Sequence, residues 1–557
     1  MSKMVQLLTK PKAEVVILLV CLLIISFLRL VRLDSVPPGF ANDEAAITYQ
    51  AYSVLKTGKD TWGNKYPLLS FRDFGEHLPP FAVYAQIPFI KLFGLNTFAA
   101  RLPFAISSII SLAPLYFLTR RLFKKKEIAL VACILFTISP LNIGWSRFVY
   151  EGNFGMLFYL LGLTFYTFSS TKPKLLILSL ISFGVTFTTY HIYYLITPLT
   201  IFLLSLPKLL PLLRDNRKLL TILVLLLALI GTYYVLITGS GAGRERFRQV
   251  SIFNNPDIIQ QLNEKRSYCD KYFFNPFCKI VFNKPTAFFT EYSYNYLFHL
   301  SPTFLAINGS FLRGAILPIH GLIYPYELLF FYIGCLSLFV KRNQTSYILL
   351  AWLTLYPIAN SFTGVGEISR ITHVMPLFPI IIASGIYSSF SYIKKHTYRY
   401  PVIICFSLIA IFNIASFLIN YFYIFPYTNY KNGEGAYVEL FKRLSTQDLK
   451  GKRVFITRDY LGSSPEFQAR IFLPIDPEAF QDDARSDYVI KKPQNYIDYE
   501  RVDNYYFGLD KIDLMTKNDI LIVSKNELKI SDKLIFSIRE PSGEETLFAV
   551  KRNLYEK

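Results

Sequence analysis

The sequence predicts a mainly α-helical, polytopic membrane protein with about eleven transmembrane helices. Of its 557 residues, 52% are hydrophobic and only 18% are charged, whereas soluble domains usually carry about 25% charged residues. The mean hydropathy is positive, at +0.33. Apolar runs of about 20 residues, the length that a helix needs to cross a bilayer, recur along the chain. These features exclude a large soluble enzyme.

The first apolar run, residues 15–33, is expected to be a retained membrane helix. A cleaved signal peptide would have a shorter apolar core and a small-residue cleavage site. Residues 79–95 are also apolar, but internal prolines and Lys91 favour an interfacial or re-entrant helix on the outer face. The expected spans are residues 14–33, 100–120, 127–145, 154–170, 174–191, 193–211, 219–238, 322–340, 346–362, 371–391 and 400–425.

Basic clusters between the apolar runs set the expected orientation. Short cytoplasmic loops are enriched in Lys and Arg, and this explains the net charge of +20 more simply than nucleic-acid binding does. The protein is therefore expected to be a multi-pass protein of a bacterial or archaeal cell membrane, with a cytoplasmic N-terminus. The clusters assigned to the inside are Lys3, Lys10 and Lys12, residues 120–126, Lys172 and Lys174, residues 214–218, Lys341 and Arg342, and Lys394 and Lys395.

Two domains are predicted on this basis. Residues 1–426 form the transmembrane domain. Its outer face carries the loops 34–99, 146–153 and 239–321. Residues 427–557 are richer in charge, so they are expected to form a small extracytoplasmic α/β domain. Candidate strands of that domain are residues 453–457, 520–523 and 533–538.

Cysteine and histidine residues show no metal-ligand spacing, and nothing in the sequence indicates a metal or another cofactor. Four of the six cysteines lie in predicted spans, where they serve as small apolar residues. Cys269 and Cys278 lie in the long outer loop, where an oxidising exterior permits a disulfide. The sequence leaves their pairing open.

An acidic pair, Asp43 and Glu44, begins an amphipathic segment in the first outer loop. Acidic residues at a helix start are often only caps, and that alternative has weight here. The pair nevertheless lies just outside the first span of a chain that is poor in acids, so it is a catalytic candidate. In the second outer loop, Arg147 and Glu151 are four residues apart, which also suits a structural ion pair.

Cations at the outer surface complete the candidate site. Arg370 and His373 lie at the expected outer end of a helix, where backbone N–H groups and Arg together suit a bound phosphate. Snorkelling of Arg to the interface is the alternative. Arg244, Arg246 and Arg248 form a second candidate anion patch. A carboxylate can take a proton from an acceptor hydroxyl while arginine holds a departing phosphate, so these loops suit a reaction on a lipid phosphate.

A series of short motifs runs in order through residues 14–425. The motifs are Pro38-Gly-Phe-x-x-Asp43-Glu44, Gly58-Lys-Asp-x-x-Gly63, Leu78-Pro79-Pro80, Phe93-Gly94, Arg101-Leu102-Pro103, Ser139-Pro140, Ser146-Arg147, His299-Leu-Ser-Pro302 and Arg370. Each motif is weak alone, but the ordered series resembles the GT-C glycosyltransferases of family 39, which include protein O-mannosyltransferases and aminoarabinose transferases.

This resemblance implies a hexosyl- or pentosyltransferase that uses a polyprenyl-phosphate sugar donor. The acceptor is a lipid, a glycan or a protein on the outer face of the membrane, and the transfer inverts the sugar. The resemblance implies Asp43 as the general base, with Glu44 beside it, and Glu151 as the acid of the second loop.

The resemblance also implies that Arg370 contacts the donor phosphate. Members of the aminoarabinose-transferase type carry a Lys directly before Pro-Pro, where this chain has Leu78. Phosphate binding is therefore expected to depend on Arg370 together with His77, His373 or Arg147. The same departure argues against an aminoarabinose–lipid A activity.

Two other functions compete with a transferase. A transporter or flippase of lipid-linked glycans should carry polar residues at mid-membrane and often two related halves. The sequence shows few charges within the spans and no such halves. A non-catalytic membrane scaffold is the third alternative, and it would not need acids placed together on the outer face.

Overall fold

The structure is a computed structural model. It describes residues 11–73, 76–239, 251–307, 320–364, 368–392, 396–432, 434–449, 451–460, 464–473, 475–478, 481, 489–491 and 497–552. The loop arginines Arg244, Arg246 and Arg248 lie outside the described residues. So do Lys394 and Lys395 of the expected cytoplasmic clusters.

Helices form most of the described chain, and every predicted span corresponds to a helix or to consecutive helices. The helices are α1 (Pro11–Leu30), α2 (Asn42–Thr57), α3 (Pro80–Phe93), α4 (Thr97–Ile110), α5 (Leu112–Phe123), α6 (Lys126–Ile138), α7 (Pro140–Ser146), α8 (Gly152–Phe168), α9 (Leu175–Thr186), α10 (Tyr193–Asp215), α11 (Arg217–Gly239), α12 (Pro256–Cys269), α13 (Asn275–Val281), α14 (Lys284–Phe298), α15 (Pro325–Lys341), α16 (Gln344–Ser361), α17 (Leu377–Tyr392), α18 (His396–Ile419), α19 (Phe425–Thr428), α20 (Gly435–Leu444) and α21 (Glu466–Phe472). Shorter 3-10 or π segments are Ile252–Asn254, Thr303–Ile307, Ile368–Val374, Asn420–Ile424 and Ile512–Leu514.

Four helical segments among the described residues are long and apolar enough to cross a membrane. They are Ala13–Leu30, Thr97–Phe123, Arg217–Gly239 and Tyr400–Thr428. Two bent pairs raise the number to six if each pair is one span: Lys126–Ile138 with Pro140–Ser146, bent by 55°, and Ile368–Val374 with Leu377–Ser391, bent by 56°. The mainly helical fold is confirmed, while the count of eleven spans stays a prediction.

The membrane helices pack through small residues as well as through large apolar ones. Gly334 on α15 and Gly385 on α17 face each other's helix, and a Cβ added to Gly385 would lie 1.9 Å from the carbonyl oxygen of Phe330. Only glycine permits this approach, which is typical of membrane helix pairs.

Residues 79–95 fold into α3, which has 14 residues and is shorter than the about 20 needed to cross a bilayer. The backbone N–H of Phe81 donates to the carbonyl of Thr188, at 3.0 Å. Helix α3 also packs against α2 and α4. Its interfacial or re-entrant placement stays a prediction.

The tail contains a six-stranded mixed sheet. In chain order the strands of the protein are β1 (Phe71–Asp73), β2 (Glu76–Leu78), β3 (Val454–Ile456), β4 (Val489–Lys491), β5 (Ile497–Tyr499), β6 (Arg501–Val502), β7 (Tyr505–Phe507), β8 (Ile520–Ser524), β9 (Lys533–Arg539) and β10 (Glu545–Lys551). The tail sheet has the order β6-β7-β3-β8-β10-β9, with β3 parallel to both of its neighbours and the other pairs antiparallel. All three predicted strands are present.

The tail and the first outer loop share one apolar core. Phe40 and Ala46 of the loop lie in the same buried cluster as Leu440, Ile471 and Ile522 of the tail. Helix α21 packs directly on α2. Burial of apolar surface is the main stabilising term in such contacts, so α2 is held between the membrane helices and the tail.

The long outer loop contains a disulfide. The sulfur atoms of Cys269 and Cys278 are bonded, which answers the question that the sequence left open. The bond joins the end of α12 to α13 and closes a short loop.

Candidate active site

Asp43 lies in the first turn of α2, and its side chain is exposed. The adjacent Glu44 turns in the opposite direction and is fully buried. Its Oε2 accepts a hydrogen bond from the backbone N–H of Ala41, at 3.2 Å, and so caps the helix start. The two acids of the pair therefore differ: the Glu44 carboxylate caps the helix start, whereas the Asp43 side chain is exposed.

Glu44 forms a buried ion pair with Arg101 on α4. Arg101 donates from Nε to Oε1 at 2.8 Å and from Nη2 to Oε2 at 2.7 Å. Oε1 also accepts from the backbone N–H of Val149 in the second outer loop, at 3.0 Å. A buried carboxylate needs such partners to remain charged. Glu44 thereby ties the two outer loops to α4.

Arg101 also organises the chain that leads into α2. Nη1 donates to the carbonyls of Leu33 and Pro37, at 3.3 and 2.9 Å, and Nη2 donates to that of Gly39, at 3.0 Å. Residues 33–39 thus fold around one guanidinium, and the position of Asp43 follows from that arrangement.

Arg147 is fully buried and caps the carboxyl end of α1. Its three nitrogens all donate to backbone carbonyls: Nη1 to Leu28 at 2.9 Å, Nη2 to Val31 at 2.7 Å, and Nε to Val36 at 3.2 Å. The last carbonyls of a helix lack partners within the helix, and a cation there is favoured by the helix dipole. The guanidinium of Arg147 thus holds the chain that follows α1, a contact that the sequence did not indicate.

Tyr150 connects the second outer loop to the segment that carries Arg370. Its hydroxyl donates to the carbonyl of Ser369, at 2.6 Å. Burial and the neighbouring Tyr190 and Glu151 raise the pKa of Tyr150 well above its usual range, while Arg370 lowers it. Glu151, which is 7% exposed, and Arg370 therefore both lie within electrostatic range of one phenol. The structure brings these two predicted residues together.

Arg370 and His373 have different surroundings, although both lie in the 3-10 helix Ile368–Val374. Arg370 is half-buried, and its Nη1 donates a long hydrogen bond, 3.4 Å, to the carbonyl of Thr363. His373 is fully buried, with its ring 6.0 and 6.2 Å from those of Tyr159 and Tyr193. Neither of its ring nitrogens has a hydrogen-bond partner among the described residues. Arg370 is open to an anion, whereas His373 is enclosed by aromatic rings.

His77 lies on β2 of the two-stranded hairpin formed by β1 and β2. Its Nδ1 is 3.2 Å from the hydroxyl oxygen of Ser70, and the side chain is half-buried. His77 thus lies in the segment 34–99, whose placement on the outer face stays a prediction. In the described part of the chain, no group of three His, Cys, Asp or Glu side chains is arranged to hold a metal ion.

Two further acids lie near Asp43, and both come from the tail. Glu434 immediately precedes α20, and Glu466 is the first residue of α21. Asp43 and Glu466 both act electrostatically on Glu434. Gln468 of α21 joins the groups, because its Nε2 donates to the carbonyl of Phe40 and to the carboxylate of Glu434. Asp43 therefore faces tail residues as well as its own loop.

Residues 77–235 match a family model described as dolichyl-phosphate-mannose-protein mannosyltransferase. The family resemblance seen in the sequence is confirmed. The chain also has the fold of ArnT from Cupriavidus metallidurans bound to undecaprenyl phosphate, with 12% identity, a TM-score of 0.55, and coverage of 97% of this chain and 98% of that one. The apo state of the same protein gives a TM-score of 0.53 at 12% identity, with coverage of 96% and 97%.

A second GT-C structure is also similar. The Archaeoglobus fulgidus oligosaccharyltransferase tethered to an acceptor peptide shares 14% identity and a TM-score of 0.51, with coverage of 99% of this chain and 75% of that one. At these identities the likeness establishes the fold. A search of curated protein sequences found no significant match.

The tail acids Glu434 and Glu466 were absent from the residues predicted from the sequence. Glu434 had one local signal, because it stands between Gly433 and Gly435 in the sequence. A Gly-Glu-Gly run indicates a turn in which glutamate is the only one of the three residues with a side chain. Glu466 and Gln468 lie in an ordinary helical pattern that gives no such indication.

Proposed function

We propose that this protein is an integral membrane glycosyltransferase that moves one sugar from a polyprenyl-phosphate donor to an acceptor on the outer face of the membrane. The observation that carries the proposal is the division of the acidic pair. Glu44 is fixed by Arg101, and this leaves the Asp43 carboxylate exposed on a helix start that is held from several sides. A rigidly placed carboxylate is what a general base requires.

In the proposed reaction, Asp43 acts on the acceptor. Its carboxylate takes the proton of the acceptor hydroxyl as that oxygen attacks the anomeric carbon of the sugar. The bond between this carbon and the phosphate oxygen breaks, and the electron pair leaves with the polyprenyl phosphate. Attack from the face opposite to the leaving group inverts the sugar. Proton transfer by a positioned side chain contributes about 10²–10⁴-fold to such reactions.

Arg370 is the proposed partner of the donor phosphate. Its guanidinium is half-buried, and within the described part of the chain its hydrogen bond is the long one to the carbonyl of Thr363, so it keeps donors for an anion. A charge-assisted Arg–phosphate contact also stabilises the negative charge that develops on the leaving group. The Tyr150 hydroxyl donates to the carbonyl of Ser369, the residue before Arg370, and Glu151 follows Tyr150 in the chain. We assign Tyr150 and Glu151 to the positioning of Arg370. His77 remains a further candidate in the first loop.

The donor class is supported by the fold. ArnT from Cupriavidus metallidurans, whose fold this chain shares, is bound to undecaprenyl phosphate in its structure. We propose a lipid of the same chemical class for this protein, carrying a hexose or a pentose. The acceptor is a protein, a lipid or a glycan of the cell envelope.

Glu44, Arg147 and His373 are proposed to serve the fold. The Glu44 carboxylate accepts from Arg101 on α4 and from the backbone N–H of Val149, and Arg147 donates to the carbonyl of Leu28 in α1. His373 is enclosed by aromatic rings. We also propose that residues 427–557 lie on the extracytoplasmic side. The apolar core that they share with the first loop, and the hydrogen bonds from Gln468 to Phe40 and Asn42, support placement on the same side as that loop.

The test is sugar transfer by membranes that contain wild type, Asp43→Asn or Asp34→Asn at equal expression, with a panel of radiolabelled polyprenyl-phosphate sugars. Asp34 is an exposed acid of the same loop, so Asp34→Asn is the matched control. Label should pass to lipid, glycan or protein with wild type and with Asp34→Asn, but not with Asp43→Asn. Equal transfer by all three proteins, or none with any donor, would contradict the proposal and favour a transporter or a scaffold.

A further inference from the structure

The backbone at Glu434 has an unusual conformation. Its φ and ψ angles are 58° and 31°, which is the left-handed region. Residues other than glycine rarely adopt it, because their Cβ crowds the backbone. Both neighbours in the sequence are glycines, yet the position itself carries glutamate. Such outliers concentrate at functional positions, where surrounding contacts maintain them.

Gln468 connects Glu434 with the start of α2. Its Nε2 is 2.9 Å from the carbonyl oxygen of Phe40 and 2.9 Å from Oδ1 of Asn42, and it also contacts Oε2 of Glu434. Phe40 and Asn42 are the residues on either side of the α2 N-cap. Gln468 is fully buried, and its Oε1 has no hydrogen-bond partner among the described residues. One amide therefore joins the tail to the residue directly before Asp43.

Two acidic side chains on other elements act electrostatically on Glu434: Glu466 on α21 and Asp43 on α2. Arg458 Nη2 donates to Glu466 Oε1 at 3.2 Å. Burial, followed by the charges of Glu466 and Asp43, raises the pKa of Glu434 to about 8, although the hydrogen bond from Gln468 lowers it. The Glu434 carboxyl is therefore mostly protonated at neutral pH.

We propose that Glu434 is a positioning residue for Asp43, and that its neutral form holds the start of α2 through Gln468 without adding a second negative charge beside the base. This inference rests on the proposed function. Under this inference, the tail contributes a positioning residue to the reaction centre. Glu434 touches neither substrate nor reacting atoms in this scheme; it acts through Gln468 and through its charge.

The charge state of Glu434 has a direct consequence for the reaction. When Glu434 ionises, two carboxylates lie at one helix start, and their repulsion displaces Asp43. The same added charge repels the anionic donor. Transfer should therefore decline as the pH rises through about 8, the pKa of Glu434.

The first experiment compares pH profiles of transfer for wild type, Glu434→Gln and Glu439→Gln. Glu439 is an exposed acid on the same helix, α20, so Glu439→Gln is the matched control. Wild type and Glu439→Gln should lose activity above about pH 8, whereas Glu434→Gln, which cannot ionise, should keep it. Identical profiles for all three proteins would overturn the role of Glu434 while leaving the proposed transferase function intact.

A second variant separates the side chain from the backbone. Glu434→Gly keeps the left-handed conformation at no steric cost, so folding should be preserved. Because the side chain is lost, kcat should fall by at least about tenfold, as expected for a misplaced catalytic group, with a smaller change in KM for the donor. An unchanged kcat would overturn the proposal.

A third measurement does not depend on activity. The folded state keeps a proton on Glu434 up to about pH 8, whereas the unfolded chain releases it near the ordinary carboxyl pKa, so this group makes the protein less stable as the pH rises between these values. The melting temperature of wild type should fall over this interval relative to that of Glu434→Gln. An equal slope for both would overturn the proposal, and transfer by none of the proteins would overturn both this inference and the proposed function.

Discussion

The Arg101 guanidinium binds the Glu44 carboxylate at two points, with Nε 2.8 Å from Oε1 and Nη2 2.7 Å from Oε2, and both side chains are shielded from solvent. This pair lies beneath the exposed Asp43. It connects α2, α4 and the backbone of the second outer loop. Any change in the pair should therefore affect folding and the placement of the base together.

Arg101→Met should destabilise the protein strongly. The substitution leaves the Glu44 carboxylate buried without its charge partner, and breaking one side of a buried pair costs about 3–5 kcal/mol. Chemical unfolding in detergent micelles measures the loss. Arg72→Met is the control, because Arg72 is an exposed arginine on β1. A loss under about 1 kcal/mol, the range of an exposed pair, would contradict the buried position of this pair.

Arg370→Gln should raise the KM for the polyprenyl-phosphate donor. A hydrogen bond to a charged group contributes about 1.5–3 kcal/mol, which corresponds to a rise of about 10- to 150-fold. Steady-state transfer at varied donor concentration provides the measurement, and the KM for the acceptor should change little. Lys341→Gln serves as the control for lost positive charge, since Lys341 is exposed at the end of α15. Donor KM values equal to that of wild type would remove Arg370 from the donor site.

Asp73→Asn should loosen the tail. Arg470 on α21 donates to Asp73 at 3.2 Å from Nη1 and 2.9 Å from Nη2, and both side chains are buried. Without the charge of Asp73, a buried guanidinium loses its counterion, so the tail should open more often. Hydrogen exchange of α21 and α2 should rise in Asp73→Asn but not in Asp513→Asn, a change at an exposed acid of the tail. Unchanged exchange in α21 would show that apolar contacts alone hold the tail.

The cysteine pair should behave as a stable structural disulfide. Cys269 and Cys278 are nearly or fully buried, and a cross-link that closes a short loop typically contributes about 2–4 kcal/mol. The double variant Cys269→Ser with Cys278→Ser should melt at a lower temperature but retain transfer, because neither residue lies among the candidate site groups. Mass spectrometry after alkylation without reductant should find these two cysteines unmodified. Their alkylation under those conditions would contradict the bond.

Sequence patterns predicted the local structure well. The apolar runs predicted the helices of the expected spans, and the amphipathic segment that begins at Asp43 predicted α2, whereas α12, α13 and α14 lie in a stretch that was expected to be a loop. The candidate strands 453–457, 520–523 and 533–538 correspond to β3, β8 and β9. Charge and motif order also indicated Asp43 and Arg370, which the structure leaves exposed or half-buried. Each of these features is set by residues that are close together in the chain, so it can be recognised in a single sequence.

Long-range pairings could not be predicted in the same way. The hydrogen bond from Arg147 to the carbonyl of Leu28 in α1 joins residues that are more than a hundred positions apart in the chain. The contacts of Gln468 with Phe40 and Asn42 span more than four hundred residues. Polar residues such as these show their type in the sequence, but their partners are decided only by the packed fold.

The shared core of the first loop and the tail bears on how the protein is made. Asp73 is synthesised 397 positions before its partner Arg470. At about 5–20 residues per second, the ribosome needs roughly 20–80 s to cover that distance. During this time the apolar face of α2 lacks its final cover, so a nascent chain already threaded into the membrane would still have an incomplete reaction centre. Under the proposed function, sugar transfer would thus begin only after Arg470 and its helix α21 have been translated and have packed on the first loop.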